Sequence, residues 1–119
     1  WTKQLGSGYD DAAFAIAVDT NTNANIYVTG YTKGVLYGIP NAVVDDDDVF
    51  VARYSMTGDQ PWIHQFGTNA ADTAFGIVAD GSGNIFITGS TAAGLDGHIN
   101  DAGLDDVFLV KYNASGVKQ

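Results

Sequence analysis

The side chains able to do chemistry in this chain are nearly all aspartates. Fourteen residues are acidic, every one of them Asp, against five Lys and Arg, giving a formal net charge of −9 over 119 residues. They cluster as Asp10 and Asp11, the run Asp45, Asp46, Asp47 and Asp48, then Asp72, then Asp105 and Asp106, with Asp96 and Asp101 between the last two groups. Carboxylates gathered in this way repel one another unless a cation, a cationic ligand or water offsets them. An all-oxygen donor set suits Ca²⁺, which is the one cofactor this composition invites, although nothing makes any cofactor certain. A competing explanation is structural. An Asp at the entry to a strand accepts hydrogen bonds from nearby backbone N–H groups, which accounts for the recurring Asp11, Asp72, Asp48 and Asp106. An acidic run such as Asp45–Asp47 is ordinarily a solvated surface.

A second oxygen-rich stretch places Asp19, Asn21 and Asn23 at alternate positions, like the opening of a Ca²⁺ loop. It lacks the glycine at the sixth position and the distal Glu of an EF-hand, and its counterpart Asp80-Gly-Ser82-Gly-Asn84 is shorter. A plain hairpin turn explains both stretches better.

Catalytic constellations are missing. Without cysteine there is no thiol nucleophile, no disulfide and no Cys-ligated zinc. His64 and His98 have no recurring Asp or Ser partner, so a triad has no support. A carboxylate pair for glycoside chemistry needs a set separation that spacing along the chain does not define. The chain is therefore read as no enzyme, with no catalytic residue; a fragment of a hydrolase is the remote alternative. Five scattered cations under a charge of −9 exclude a nucleic-acid surface. No apolar run approaches the roughly 18 residues of a membrane span.

The elements that must position these residues are strands. Val, Ile, Thr, Tyr and Phe are abundant and Leu sparse, while Gly, Asn and Asp supply turns. The chain also repeats itself. Trp1-Thr-Lys-Gln-Leu-Gly6 lines up with Trp62-Ile-His-Gln-Phe-Gly67, and Asp11, Ala13, Phe14 and Ile16 with Asp72, Ala74, Phe75 and Ile77. Asn25-Ile26 and Thr29-Gly30 match Asn84-Ile85 and Thr88-Gly89, and Asp47-Asp48-Val49-Phe50 matches Asp105-Asp106-Val107-Phe108. The units are 1–61 and 62–119, and a period near 60 residues points to stacked repeats that cannot bury their faces alone.

Turn signals divide the units into strands at Ala13–Asp19, Asn25–Thr32, Val49–Ser55 and Trp62–Phe66, then Ala74–Asp80, Asn84–Thr91 and Val107–Asn113, with Trp1–Leu5 equivalent to Trp62–Phe66. Strict alternation would put Phe14, Ile16 and Val18 on one face and Ala13, Ala15 and Ala17 on the other. Apolar residues on both faces of most strands require cover on both sides, as in radially packed blades.

The ordered set Trp-x-x-Gln-[Leu/Phe]-Gly, Asp-x-Ala-Phe-x-Ile, Asn-Ile-[Tyr/Phe]-[Val/Ile]-Thr-Gly and Asp-Asp-Val-Phe-[Val/Leu]-x-[Arg/Lys]-Tyr resembles the SBBP-type β-propeller repeat over nearly the whole chain. The first unit departs from it at Asp45–Asp48 and in its longer 19–25 turn. The resemblance implies an all-β propeller of four-stranded antiparallel blades, two per chain, in secreted or surface-associated bacterial proteins, hence an extracellular or cell-surface location. It implies no reaction.

Two blades do not close a ring of roughly four to eight. In this phase Trp1, Lys3 and Leu5 form an outer strand that completes a neighbouring blade. The expected partner is another copy, as a homo-oligomeric trimer or tetramer, or else further blades of the same polypeptide. Loops entering the first and third strands share one end of a blade, so most of the aspartates, together with the long loops near 33–46 and 92–104, are expected on one face. The leading reading is a non-catalytic scaffold or interaction module. A calcium- or glycan-binding propeller using the Asp-rich face is the alternative.

Overall fold

The computed structural model describes residues 1–20, 24–39, 43–100 and 104–119. Its two antiparallel sheets follow the repeat. The first contains β1 (Asp11–Asp19), β2 (Asn25–Thr32), β3 (Asp48–Ser55) and β4 (Trp62–Phe66) in that spatial order. The second contains β5 (Asp72–Ala79), β6 (Ile85–Thr91) and β7 (Asp106–Tyr112). Among the described residues a single 3₁₀ turn, Leu95–Gly97, precedes β7. The architecture is all-β, as the composition requires.

The first strand of each unit starts earlier than the apolar pattern suggests, at Asp11 and Asp72, because these aspartates already pair with Thr32 and Thr91 across the ladder. A second departure is more consequential. The register slips between Ala13 and Ala15, and again between Ala74 and Gly76, which is a β-bulge in both units. An extra residue reverses the alternation beyond it. Ala13 and Ile16 therefore share one face, while Ala15 and Ala17 pack on the opposite side against β5–β7. The strict alternation expected for 13–18 fails at Phe14 for this reason. The Thr-Gly pair of each unit explains the bulge's fit. A Cβ on Gly30 would lie 1.9 Å from the Ala12 carbonyl oxygen, and one on Gly89 would lie 2.0 Å from that of Thr73. Only glycine lets the bulged backbone approach so closely.

The sheets stack face to face, and the core lies between them. Tyr27, Val49 and Val51 of the first sheet interlock with Ala74, Ile77, Ile85, Ile87, Phe108, Val110 and Tyr112 of the second. Trp62 and Phe66 of β4 lean over the same seam, with Trp62 6.0 Å from Tyr27 and 6.3 Å from Tyr112 between ring centroids. Polar contacts lock one end: the Tyr27 hydroxyl donates to the Gly83 carbonyl, and Arg53 donates to Asn25 Oδ1 and to the Ala114 carbonyl.

Residues 1–5 form no ladder, although their sequence reads as a strand. The physical reason is that a strand needs a neighbour, and among the described residues none lies alongside them.

Candidate functional site

The repeat makes it simple to ask what each blade surface faces. In the closed seam, Trp62 and His64 of β4 rest on the turn glycine Gly116 of the second blade, whose Cβ position lies 3.0 Å from both side chains. The corresponding turn glycine of the first blade, Gly58, lies equally close to Lys3 (3.0 Å) and Trp1 (3.1 Å). Trp1 also donates its indole N–H to the Met56 carbonyl at 2.9 Å and faces Tyr54 at 6.4 Å. Residues 1–5 thus sit on the first blade as β4 sits on the second.

Behind them the first blade carries an open apolar face. A cavity of about 400 Å³ is lined by Leu5, Ile16, Ile26, Val28, Leu36 and Phe50, among others. Their counterparts in the second blade, Phe66 apart, are the residues sealed in the core: Ile77, Ile85, Ile87, Leu95 and Phe108. At the other end of the molecule the opposite face is bare. Val49 and Val51 are 0 % exposed, whereas their counterparts Val107 and Leu109 are 85 % and 73 % exposed, and Val78, the counterpart of Ala17, is 60 % exposed. Burying such a side chain is worth roughly 1.5–3 kcal/mol.

One residue of β4, on the strand face away from the second blade, was quoted in the repeat but given no role there. Gln65 accepts the Leu36 N–H at Oε1, and its amide donates to the Gly34 carbonyl (2.9 Å) and to Asp48 Oδ2 (3.2 Å). It ties the long loop after β2 to the entry of β3. The recurrence of Gln4 and Gln65 was the signal that could have revealed it.

The aspartates divide into several environments. Asp11 is half-buried and accepts from the Ser7 backbone N–H and hydroxyl and from the Thr32 hydroxyl. Asp72 is fully buried and accepts from the Thr68 N–H and hydroxyl through Oδ2. Both are strand-entry turns of the kind that favours Asp. Asp10 is exposed, and its carbonyl caps Lys33 N–H. Asp45 has a φ of 71° and donates its N–H to the Lys33 carbonyl; Asp46 accepts from the Asp47 N–H; Asp47 lies 3.7 Å from Lys33 Nζ. Asp105 and Asp106 are exposed, and Asp96 pairs with Lys118. Asp19 is buried, while Asn21, Asn23 and Asp101 lie outside the described residues. At the counterpart turn, Asp80 accepts from Ser82 and Asn84, and these hydrogen bonds, the Asn84 side chain's first, hold its carboxyl below the usual range.

The structure brings two of these acids together, Asp48 and Asp72. They flank Gly67, whose Cβ position would lie 2.1 Å from Asp48 Oδ1 and 2.9 Å from Asp72 Oδ2. The blade junction makes this pairing, since the Asp72 N–H donates to the Asp47 carbonyl at 2.7 Å. Among the described residues no three His or Asp side chains converge as a metal site.

The aromatic groups of the closed seam are shifted by their surroundings. Burial, aided by Asp96, pushes the Tyr112 hydroxyl up to about 12. His64 stacks on Tyr112 with ring centroids 5.1 Å apart and planes 10° apart; burial lowers its pKa, partly opposed by the Gly116 backbone. Such groups pack a junction.

Comparison with known proteins agrees with this geometry. The family model of the SBBP β-propeller repeat matches residues 1–38 and 62–96, one segment in each unit. The chain is also 26 % identical, over 98 % of its length, to an uncharacterized WD repeat-containing protein of Acanthamoeba polyphaga mimivirus, of which it spans about a tenth.

Proposed function

Because this chain belongs to the SBBP family of β-propeller repeats, we propose that it is a non-catalytic, extracellular scaffold whose two blades join further blades, of other copies or of the same polypeptide, into a closed ring. The observation that carries this reading is the placement of residues 1–5. Trp1 and Lys3 lie against Gly58 of the first blade as Trp62 and His64 of β4 lie against Gly116 of the second. The two bare faces are also counterparts of the two faces that already pack together inside the chain. A heterologous contact of this kind closes when the rotation per copy divides a full turn, which gives a trimer of six blades or a tetramer of eight. Each copy carries a charge of −9, so the copies repel over the Debye length and salt strengthens their association.

Thermal unfolding across a hundredfold range of protein concentration tests this. Association raises the midpoint with concentration by mass action. A midpoint that does not move, at low and at high salt, contradicts assembly.

A second reading has one observation in its favour. Among the described residues Asp72 Oδ1 is buried and accepts no hydrogen bond, and it belongs to the carboxylate that faces Asp48 across Gly67. A Ca²⁺ ion at the blade junction would use these two acids. A thermal midpoint unchanged by millimolar Ca²⁺ removes that reading.

A further inference from the structure

We propose that the paired phenylalanines Phe14 and Phe75 hold an arginine of a basic peptide segment, whose second arginine reaches the aspartates at the entries of β1 and β5. This goes beyond the scaffold reading and does not depend on the number of blades. The site is made by the two bulges. β1 and β5 are the first strands of their sheets, and among the described residues each pairs along one edge only. The register slips at Phe14 in one and at Phe75 in the other, and a bulge re-aims the side chain that it carries. Both rings are turned out of the packed faces: Phe14 is 50 % exposed and Phe75 56 %. Their centroids lie 5.7 Å apart with planes tilted by 30°, and Tyr31 extends the group at 5.8 Å from Phe14. Three rings from two blades thus form one patch at the surface.

Charge selects the occupant. A cation over an aromatic face is attracted by the ring quadrupole, and this chain uses that contact elsewhere. Lys111 Nζ lies 5.6 Å from the centre of Phe86, and Lys118 Nζ 4.8 Å from that of Phe66. Among the described residues no such cation lies over Phe14, Phe75 or Tyr31. Carboxylates stand at the near ends of the same strands. Asp10 and Asp45 are exposed, and both are tied to Lys33 through their backbones. Asp47 accepts the Asp72 N–H, which sets residues 45–47 at the entry of β5. Lys33 brings a positive charge to this end, and Asp47 engages it at 3.7 Å. Asp10 precedes Phe14 by four residues and Asp72 precedes Phe75 by three, so the acids begin roughly 10–13 Å of strand away from the rings. An extended peptide covers that distance in three or four residues, which places its two arginines that far apart. A guanidinium suits the rings better than an ammonium, because it is planar, stacks on aromatic faces and holds its water less strongly. An uncharged apolar partner would leave the complementary acids unused.

The test is an NMR titration of the isotope-labelled full chain with the capped peptide Arg-Ser-Gly-Ser-Arg. The expected result is saturable shift changes in β1, β5 and residues 45–47. Affinity falls about fivefold in Phe14→Leu and in Phe75→Leu, which keep apolar bulk and lose the ring. Asp10→Asn combined with Asp45→Asn also weakens binding, and added salt does the same. Circular dichroism verifies that each variant is folded. Citrulline in place of both arginines keeps the shape of the peptide and removes its charge, so binding is lost; this arm needs no altered protein. Equal binding of the citrulline peptide, or of Leu-Ser-Gly-Ser-Leu, makes the patch an apolar contact surface and overturns the basic partner. Full affinity in both leucine variants shows attraction to the acids alone and overturns the aromatic site. No saturable change at millimolar peptide overturns the proposal outright.

Discussion

Two seams in this molecule are built from the same residue types, and only one of them is closed. Between the sheets, β4 lies over the second blade and Val49 and Val51 are sealed. Residues 1–5 lie against the first blade, but among the described residues no strand pairs with them, and Ile16 stays 66 % exposed. Burial is therefore a property of the neighbour and not of the side chain. The same Val is core at position 49 and surface at position 107. A repeat unit carries both halves of an interface, and stability depends on how many of those halves meet.

Substitutions at counterpart positions separate the two seams. The largest contrast is a buried charge. Val51→Asp places an unpaired carboxylate in the closed seam and prevents folding at ambient temperature, seen as loss of the strand signal in circular dichroism. Leu109→Asp, its counterpart on the bare face, leaves the diluted chain folded and abolishes association in sedimentation. If both variants folded equally well, the seams would not differ as described.

Next comes the tryptophan pair. Trp62→Ala removes packing against Tyr27 and Tyr112 and costs roughly 3–5 kcal/mol in denaturant unfolding. Trp1→Ala costs the diluted chain about 1 kcal/mol, the scale of its one hydrogen bond to Met56.

The smallest effect is pH-dependent. The native pKa of His64 is depressed by burial, so the unfolded chain binds its proton first as pH falls. The stability it contributes is complete above about pH 6.5 and declines below that value. The open seam has Lys3 in this place. His64→Phe should flatten the loss between about pH 6.5 and 5 in denaturant titrations, and an unchanged slope would show that His64 does not set it.

The sheets were legible in the sequence because each strand is marked by turn residues and repeated once. The strand ends at β1 and β5 were set too late, since Asp11 and Asp72 look like turn residues while their backbones already pair. The bulge at Phe14 was hidden because alanines fit either face, so the pattern carried no penalty for the wrong alternation. Gly30 and Gly89 recorded it, but close backbone approach is visible only in three dimensions. The aspartates were seen as a group, and the group divides by partner. Asp11 and Asp72 bind their own turns, while Asp48 meets Asp72 only because Gly67 brings one blade's entry against the next. Contacts that cross a blade junction depend on the stacking angle, which no local spacing encodes.

The central claim is that the open seam is completed by an identical unit. Its most direct test is the molar mass of the full chain in solution by light scattering, at micromolar concentration and moderate salt. The account predicts three or four times the 12.5 kDa of one chain, falling to a single chain in Leu109→Asp. A folded species of 12.5 kDa at every concentration would contradict it.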